Sequence, residues 1–219
     1  MITLKNVKEN QAISEYIQRA DESLLSLGYT EHSFAHVGNV AHRVEAILTT
    51  LGFSDHDIEL GKIAAYLHDI GNLVNRVEHS QSGAIMAFRL LDHMGMEASD
   101  IATIVTAIGN HDEGTGVPVN AIAAALILAD KSDVRRSRVR NHDVATFDIH
   151  DRVNYSVVES QLSIDTENKE ICLSLLIETQ YSSVMDYFEI FLERMVLCRK
   201  AAEQLGLRFR LRFNQQQIL

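Results

Sequence analysis

The chain has 219 residues, 46% of them apolar, and a formal net charge of −10. That is enough for one large domain with a true core, or for one domain with an appendage. The negative charge argues against coating nucleic acid, and no apolar run approaches the ~18 residues that would suggest a membrane helix. The amino-terminal stretch Met1-Ile2-Thr3-Leu4-Lys5-Asn6 has no apolar signal-peptide core. Cys172 and Cys198 lie inside apolar segments and read as buried thiols, so a reducing, cytoplasmic setting is expected. Pro118 is the single proline, and no Pro/Gly-rich linker, low-complexity segment or repeat is present.

Taken in order, residues 6–27 read as one amphipathic helix, with Ile13, Tyr16, Ile17, Ala20, Leu24 and Leu27 at helical spacing and Gly28 as its end. A second helix starts at Ser33, an N-cap residue, and presents Phe34, Val37, Val40, Ala41, Val44, Ile47 and Leu48. Ser54 caps a third, which runs to Leu67-His68-Asp69-Ile70-Gly71. There Gly71 reads as a left-handed helix stop. A fourth helix begins near His79 and Ser80 and carries Ala84, Ile85, Phe88 and Leu91. A fifth, capped by Ser99, leads to Asn110-His111. Residues 113–117 read as a loop, and Pro118 fits the first turn of a sixth helix. Residues 121–129 are apolar almost all round, the mark of a central, buried helix that ends at Asp130.

The pattern breaks near residues 141–153. Val158, Leu162 and Ile164, a turn at Asp165-Thr166-Glu167-Asn168, and residues 171–177 then read as a hairpin. A long helix over 181–205 follows, and residues 207–213 alternate apolar and basic as a strand. The expected fold is mainly α: a helical domain over 1–145 and a small α+β (ββαβ) unit over 150–219, with dimerisation or regulation as candidate roles for the latter. Arg208, Arg210 and Arg212 read as the solvated face of an edge strand.

His36, His68, Asp69, His79, His111 and Asp130 stand at helix ends or interrupt apolar helices. A helical core has no use for so many inward imidazoles, and burying ionisable groups without partners costs several kcal/mol. Neutral imidazoles mixed with carboxylates suit a divalent cation. His32, one turn before His36, can share its side but reads as exposed.

The ordered set His36, His68-Asp69 and Asp130, with Ala129-Asp130-Lys131 as the closing motif, resembles the signature of the HD-domain metal-dependent phosphohydrolases. The resemblance spans roughly residues 30–135, and His79 and His111 stand where the binuclear, HDIG-type branch places extra ligands. It implies one cation on His36, His68, Asp69 and Asp130, and a second on Asp69, His79 and His111. It implies two divalent transition metal ions (Mn, Fe, Co or Zn, with Mg as a further option). It also implies hydrolysis of a phosphate ester of a nucleotide or other small molecule by a hydroxide bridging the metals, with Asp69 and His68 as catalytic residues. Lys131, Arg135 and Arg136 are the candidates for holding the substrate's phosphate. Asn72 replaces the acidic residue that mononuclear nucleotidases of the superfamily carry. Asn110-His111, with a short loop and no tyrosine, departs from the cyclic-dinucleotide branch. The rival expectations are a di-iron oxygenase on the same ligands and a non-catalytic ligand-sensing or interaction protein. The expected partner is a small phosphorylated molecule, with neither a membrane nor nucleic acid, and homodimerisation is an option.

Overall fold

A computed structural model describes residues 2–219. The first helical stretch is two helices, α1 (Leu4–Glu9) and α2 (Gln11–Ser26), where the spacing predicts one. Asn10 makes the break: its backbone is extended, and its side-chain oxygen accepts from the amides of Ala12 and Ile13. An N-cap inside an apolar periodicity restarts the helix without disturbing which face is buried. Next come α3 (Phe34–Thr50), capped by Ser33, and α4 (Asp55–Leu67), capped by Ser54. A 3-10 turn over Ile70–Leu73 leads to α5 (His79–His93). α6 (Ala98–Gly109) starts after Glu97, two residues before the expected cap at Ser99. α7 (Ala121–Lys131) starts after Asn120, whose side chain accepts from the Ala123 amide, so Pro118 lies in the loop and not in the first turn.

Every residue of α7 from Ile122 to Ala129 is buried. The helix packs against α3, α4 and α6 and against the last long helix of the chain. Small alanines let these neighbours approach closely, and the buried aliphatics each contribute roughly 1.5–3 kcal/mol.

Gly71 is not left-handed. It sits in the 3-10 turn with the backbone of α5 pressed against it, and a Cβ there would overlap the His79 carbonyl oxygen and the Gly83 amide. The absence of a side chain serves close packing, not helix termination.

The stretch over 141–153, read as a break, contains a further helix, α8 (Ile149–Ser156), capped by Asp148. Eight α-helices therefore precede the first strand among the described residues, against the expected six or seven. The hairpin is β1 (Val157–Asp165) and β2 (Glu170–Ile177), paired antiparallel. α9 (Val184–Gln204), opened by a capping box at Ser183 and Asp186, returns the chain so that β3 (Arg208–Phe213) pairs parallel with β2. A two-residue strand, β4 (Gln216–Gln217), completes the order β1-β2-β3-β4. β3 is therefore interior to the sheet, not an edge, and its Arg210 pairs with Glu170 at 2.6 Å. The predicted mainly helical architecture with a C-terminal ββαβ unit is what the chain forms. Ile171, Leu173, Leu175, Phe209, Leu211 and Phe213 bury one sheet face with Tyr187, Phe191 and Met195 of α9, in continuity with the helical core. No helix among the described residues is long and apolar enough to cross a membrane.

Candidate metal centre

Five helices deliver the six predicted ligands to one point. His36 lies in the first turn of α3, and His68 caps the C-terminus of α4 with Asp69 following it. His79 opens α5, reached through Glu78 in a left-handed conformation (φ 55°). His111 follows the C-cap of α6, and Asp130 ends the apolar run of α7. All four histidines and Asp69 are buried.

The imidazoles share one orientation. Nδ1 of His68, His79 and His111 lies 2.7, 3.1 and 2.6 Å from the carbonyl oxygens of Ala65, Arg76 and Ile108. Nδ1 of His36 lies 2.8 Å from Asp133 Oδ2. Carbonyl and carboxylate oxygens only accept, so each Nδ1 carries a hydrogen, and each ring, when neutral, presents the lone pair of its Nε2. Those Nε2 atoms converge. His36 Nε2 is 3.5 Å from Asp69 Oδ2 and 3.3 Å from Asp130 Oδ1, and His68 Nε2 is 3.3 and 3.6 Å from the same two oxygens. His79 Nε2 is 3.4 Å from Asp69 Oδ1 and 3.2 Å from His111 Nε2.

In neutral rings such lone pairs facing carboxylates repel, and a buried acceptor without a donor costs about 1–3 kcal/mol. Nε2 of His36 and of His68 are buried without a hydrogen-bond partner. A divalent cation removes this conflict, since imidazole nitrogens and carboxylate oxygens are its ligands. Two groups have donor atoms within 4.8 Å of one another: His36, His68 and Asp130, and His68, Asp69 and His111. His79 stands beside the second.

The surroundings hold this charge pattern in place. Burial opposes ionisation of Asp69, but His68 and His36 keep its pKa well below the ordinary carboxylate value. Asp130 is likewise held down, by Lys131, His36 and His68 against burial. Burial, with His68 and His79 nearby, keeps His111 well below an ordinary imidazole. Burial also lowers His79 despite the attraction of Asp69. Burial opposes protonation of His68, yet Asp69 and Asp130 raise it to about 10, so the two carboxylates call for positive charge at Nε2, which either a proton or a metal cation supplies. The carboxylates thus draw a positive charge to the point where the nitrogens meet. Asn72 donates to Asp69 Oδ1 at 3.0 Å and fixes that carboxylate's orientation.

A cavity of about 490 Å³ opens onto the cluster, lined by Asp69, His79, His111, Asp130, Lys131 and His32 among others. Lys131 is buried there, 2.9 Å from Asp130 Oδ2 and 2.7 Å from Glu113 Oε2. His32 is part-buried, not exposed, and its Nδ1 lies 2.7 Å from the Thr30 carbonyl oxygen. Arg135 and Arg136 do not line the cavity. Arg135 pairs with Asp133 and Glu31, and Arg136 with Glu178 and the Tyr155 carbonyl. Both tie the post-α7 loop down through these carboxylates and the Tyr155 carbonyl.

Several residues that the spacing did not single out for the site stand in or beside it. Asp133, one turn after Asp130, takes the Nδ1 hydrogen of His36 and lies within 3.9 Å of Arg43, Arg135 and Arg138. Arg76 and Arg194 line the cavity, as does Arg138 from the basic run that follows Asp130. The three-residue offset from Asp130 to Asp133 was a usable signal; Arg76 and Arg194 carry none, being ordinary loop and helix arginines by pattern.

The family model for the HD domain matches residues 33–190. The uncharacterized protein MJ1020 of Methanocaldococcus jannaschii is 24% identical over 155 residues, 60% of this chain and 59% of that protein. The chain therefore spans less than two thirds of the length of this curated relative. The crystal structure of a predicted HD superfamily hydrolase from an uncultured Thermotogales bacterium is 25% identical, over 61% of this chain and 75% of that one, with a TM-score of 0.45. The family match runs from the cap of α3 into α9, well over half of the sequence, and the chain belongs to the HD-domain family.

Proposed function

We propose that the protein is a phosphohydrolase that uses two divalent cations to cleave a phosphate ester of a nucleotide or other small molecule. The observation that carries this reading is the convergence of four imidazole lone pairs on two carboxylates, with every Nδ1 tied back. His36, His68 and Asp130 would hold one cation and His79 and His111 the other. Asp69 faces both groups, Oδ2 toward His36 and His68 and Oδ1 toward His79. When bound, such cations supply Lewis acidity at phosphoryl oxygens and a water whose pKa falls from about 16 to about 7.

The chain's own groups do the rest. Asp133 holds His36 in one tautomer, and Asn72 holds Asp69. Lys131, Arg76, Arg138 and Arg194 bring positive charge to a cavity that also holds carboxylates, which favours an anionic ligand close to the ligand set. Asp69, with its pKa held down by His68 and His36, remains an acceptor that can orient an attacking water. The burial of the ligand nitrogens excludes bulk water from that side.

The test is elemental analysis of the purified protein with hydrolysis of p-nitrophenyl phosphate in Mn²⁺ or Co²⁺. Two metal equivalents per chain and turnover, both lost in Asp69→Ala, are expected. An Asp69→Ala protein that keeps its metal and its turnover overturns the assignment. Iron content together with oxygen uptake, and no hydrolysis, would replace it with the oxygenase.

A further inference from the structure

We propose that Arg194 of α9 is a substrate contact that receives a phosphate group, and this rests on the phosphohydrolase reading of the same cavity. The side chain enters the cavity from the C-terminal ββαβ unit and is 23% exposed. Two contacts set its plane. Nε donates to Glu113 Oε1 at 2.9 Å, and the guanidinium carbon stands 4.3 Å from the centre of the Phe191 ring. Glu113 is itself fixed through Lys131 to Asp130, so three ion pairs join a metal-ligand carboxylate to Arg194.

This tether uses one edge of the guanidinium. The two terminal nitrogens make no hydrogen bond to the described residues and are left to the cavity. Arginine presents its donors as a planar fork, matched to a pair of oxygens on one phosphate. The neighbouring cations are already engaged. Arg138 donates to the carbonyls of Glu31 and Asp133, and Lys131 sits between two carboxylates. Arg76 turns toward Asn72 and His79. Arg194 combines a fixed plane with an uncommitted edge, which lowers the ordering cost of binding an oxyanion.

The probe is inorganic phosphate, titrated calorimetrically into the full-length protein with and without Mn²⁺. Arg194→Met should weaken phosphate binding by about tenfold to a hundredfold, the worth of a charge-assisted pair, with Mn²⁺ content at the wild-type level. Arg194→Lys should recover part of the loss, since it keeps the charge without the fork. Unchanged phosphate affinity in Arg194→Met overturns the proposal, as does a wild-type protein that binds no phosphate up to about 10 mM. If Arg194→Met fails to fold by circular dichroism, Arg194→Lys and Glu113→Gln carry the test, and wild-type affinity in both overturns it. Failure of the phosphohydrolase reading shows elsewhere: wild type that takes up no Mn²⁺ or turns over no phosphate ester, with the Arg194 comparison still read on phosphate itself.

Discussion

His79 and His111 meet nitrogen to nitrogen, Nε2 to Nε2 at 3.2 Å, while both Nδ1 atoms are bonded to backbone carbonyls. Neither ring then has a hydrogen to offer the other. Arg76 Nη1, at 3.4 Å, supplies His79 with a weak donor. The pair is arranged to bind something positive between them and Asp69, whose Oδ1 is 3.4 Å from His79.

His111→Ala should therefore remove one cation and leave the other. Metal content is expected to fall from two equivalents to one by elemental analysis, with the far-ultraviolet circular dichroism unchanged. His36→Ala should remove the complementary one. Loss of both ions from either variant would mean a single shared centre.

Asp133 is expected to matter nearly as much as a ligand. It accepts from His36 Nδ1 at 2.8 Å and sits fully buried among Arg43, Arg135 and Arg138. Carboxylates behind metal-bound histidines are worth about tenfold to a hundredfold in affinity. Asp133→Ala should weaken Mn²⁺ binding by that factor. It should also lower unfolding free energy by about 3–5 kcal/mol, through the uncompensated arginines. Asp133→Asn keeps an acceptor oxygen and should recover most of the metal affinity but little of the stability.

Gly71→Ala tests whether the tight turn sets the ligand geometry. The added methyl has no free space against the His79 carbonyl and the Gly83 amide, so α5 must shift. A loss of about 1–3 kcal/mol by urea denaturation is expected, the cost of overpacking a close-packed contact. Because His79 begins α5, one metal equivalent should be lost with it. Wild-type stability with full metal content would show that the turn tolerates the shift.

Glu59 ties the amino terminus to the bundle, accepting from the Leu4 amide and lying 2.9 Å from Lys62 Nζ. Burial raises its pKa, and the Leu4 and Lys62 bonds overcome this and lower it. A carboxylate with a depressed folded-state pKa stabilises fully above its unfolded value, about 4.3, and loses that contribution as pH falls through the folded value. Glu59→Gln should cost about 1 kcal/mol at pH 7. The gap between the thermal midpoints of wild type and variant should close as pH drops below about 4. A gap independent of pH would assign the effect to packing.

The parts of the fold readable from sequence were those in which one local rule was unopposed. Ser33 and Ser54 cap their helices as read, and residues 121–129 form the buried helix that their unbroken apolarity required. β3 follows its period-two alternation. α8 escaped because Ile149-His150-Asp151-Arg152-Val153-Asn154-Tyr155-Ser156 is short and polar, and tertiary contact with α9 and β1 supports it instead. All six proposed ligands arrive at one place, since helix ends are where an inward polar residue leaves the apolar stripe intact. Arg135 and Arg136 illustrate the opposite case. Nearness in sequence to Asp130 placed them by the site, but Glu31 and Glu178, remote in sequence, took their charges. Arg194 was unreadable for the same reason, because its partner Glu113 lies 81 positions away.

The parallel pairing of β2 with β3 clamps α9 at both ends within one sheet. That helix cannot slide by a turn without unzipping the ladder that joins Leu173 to Leu211 and Leu175 to Phe213. The depth to which a side chain of α9 projects toward the ligand cluster is thus gauged by main-chain bonds in the sheet. A fault in β3 should surface as misaligned chemistry before it surfaces as unfolding.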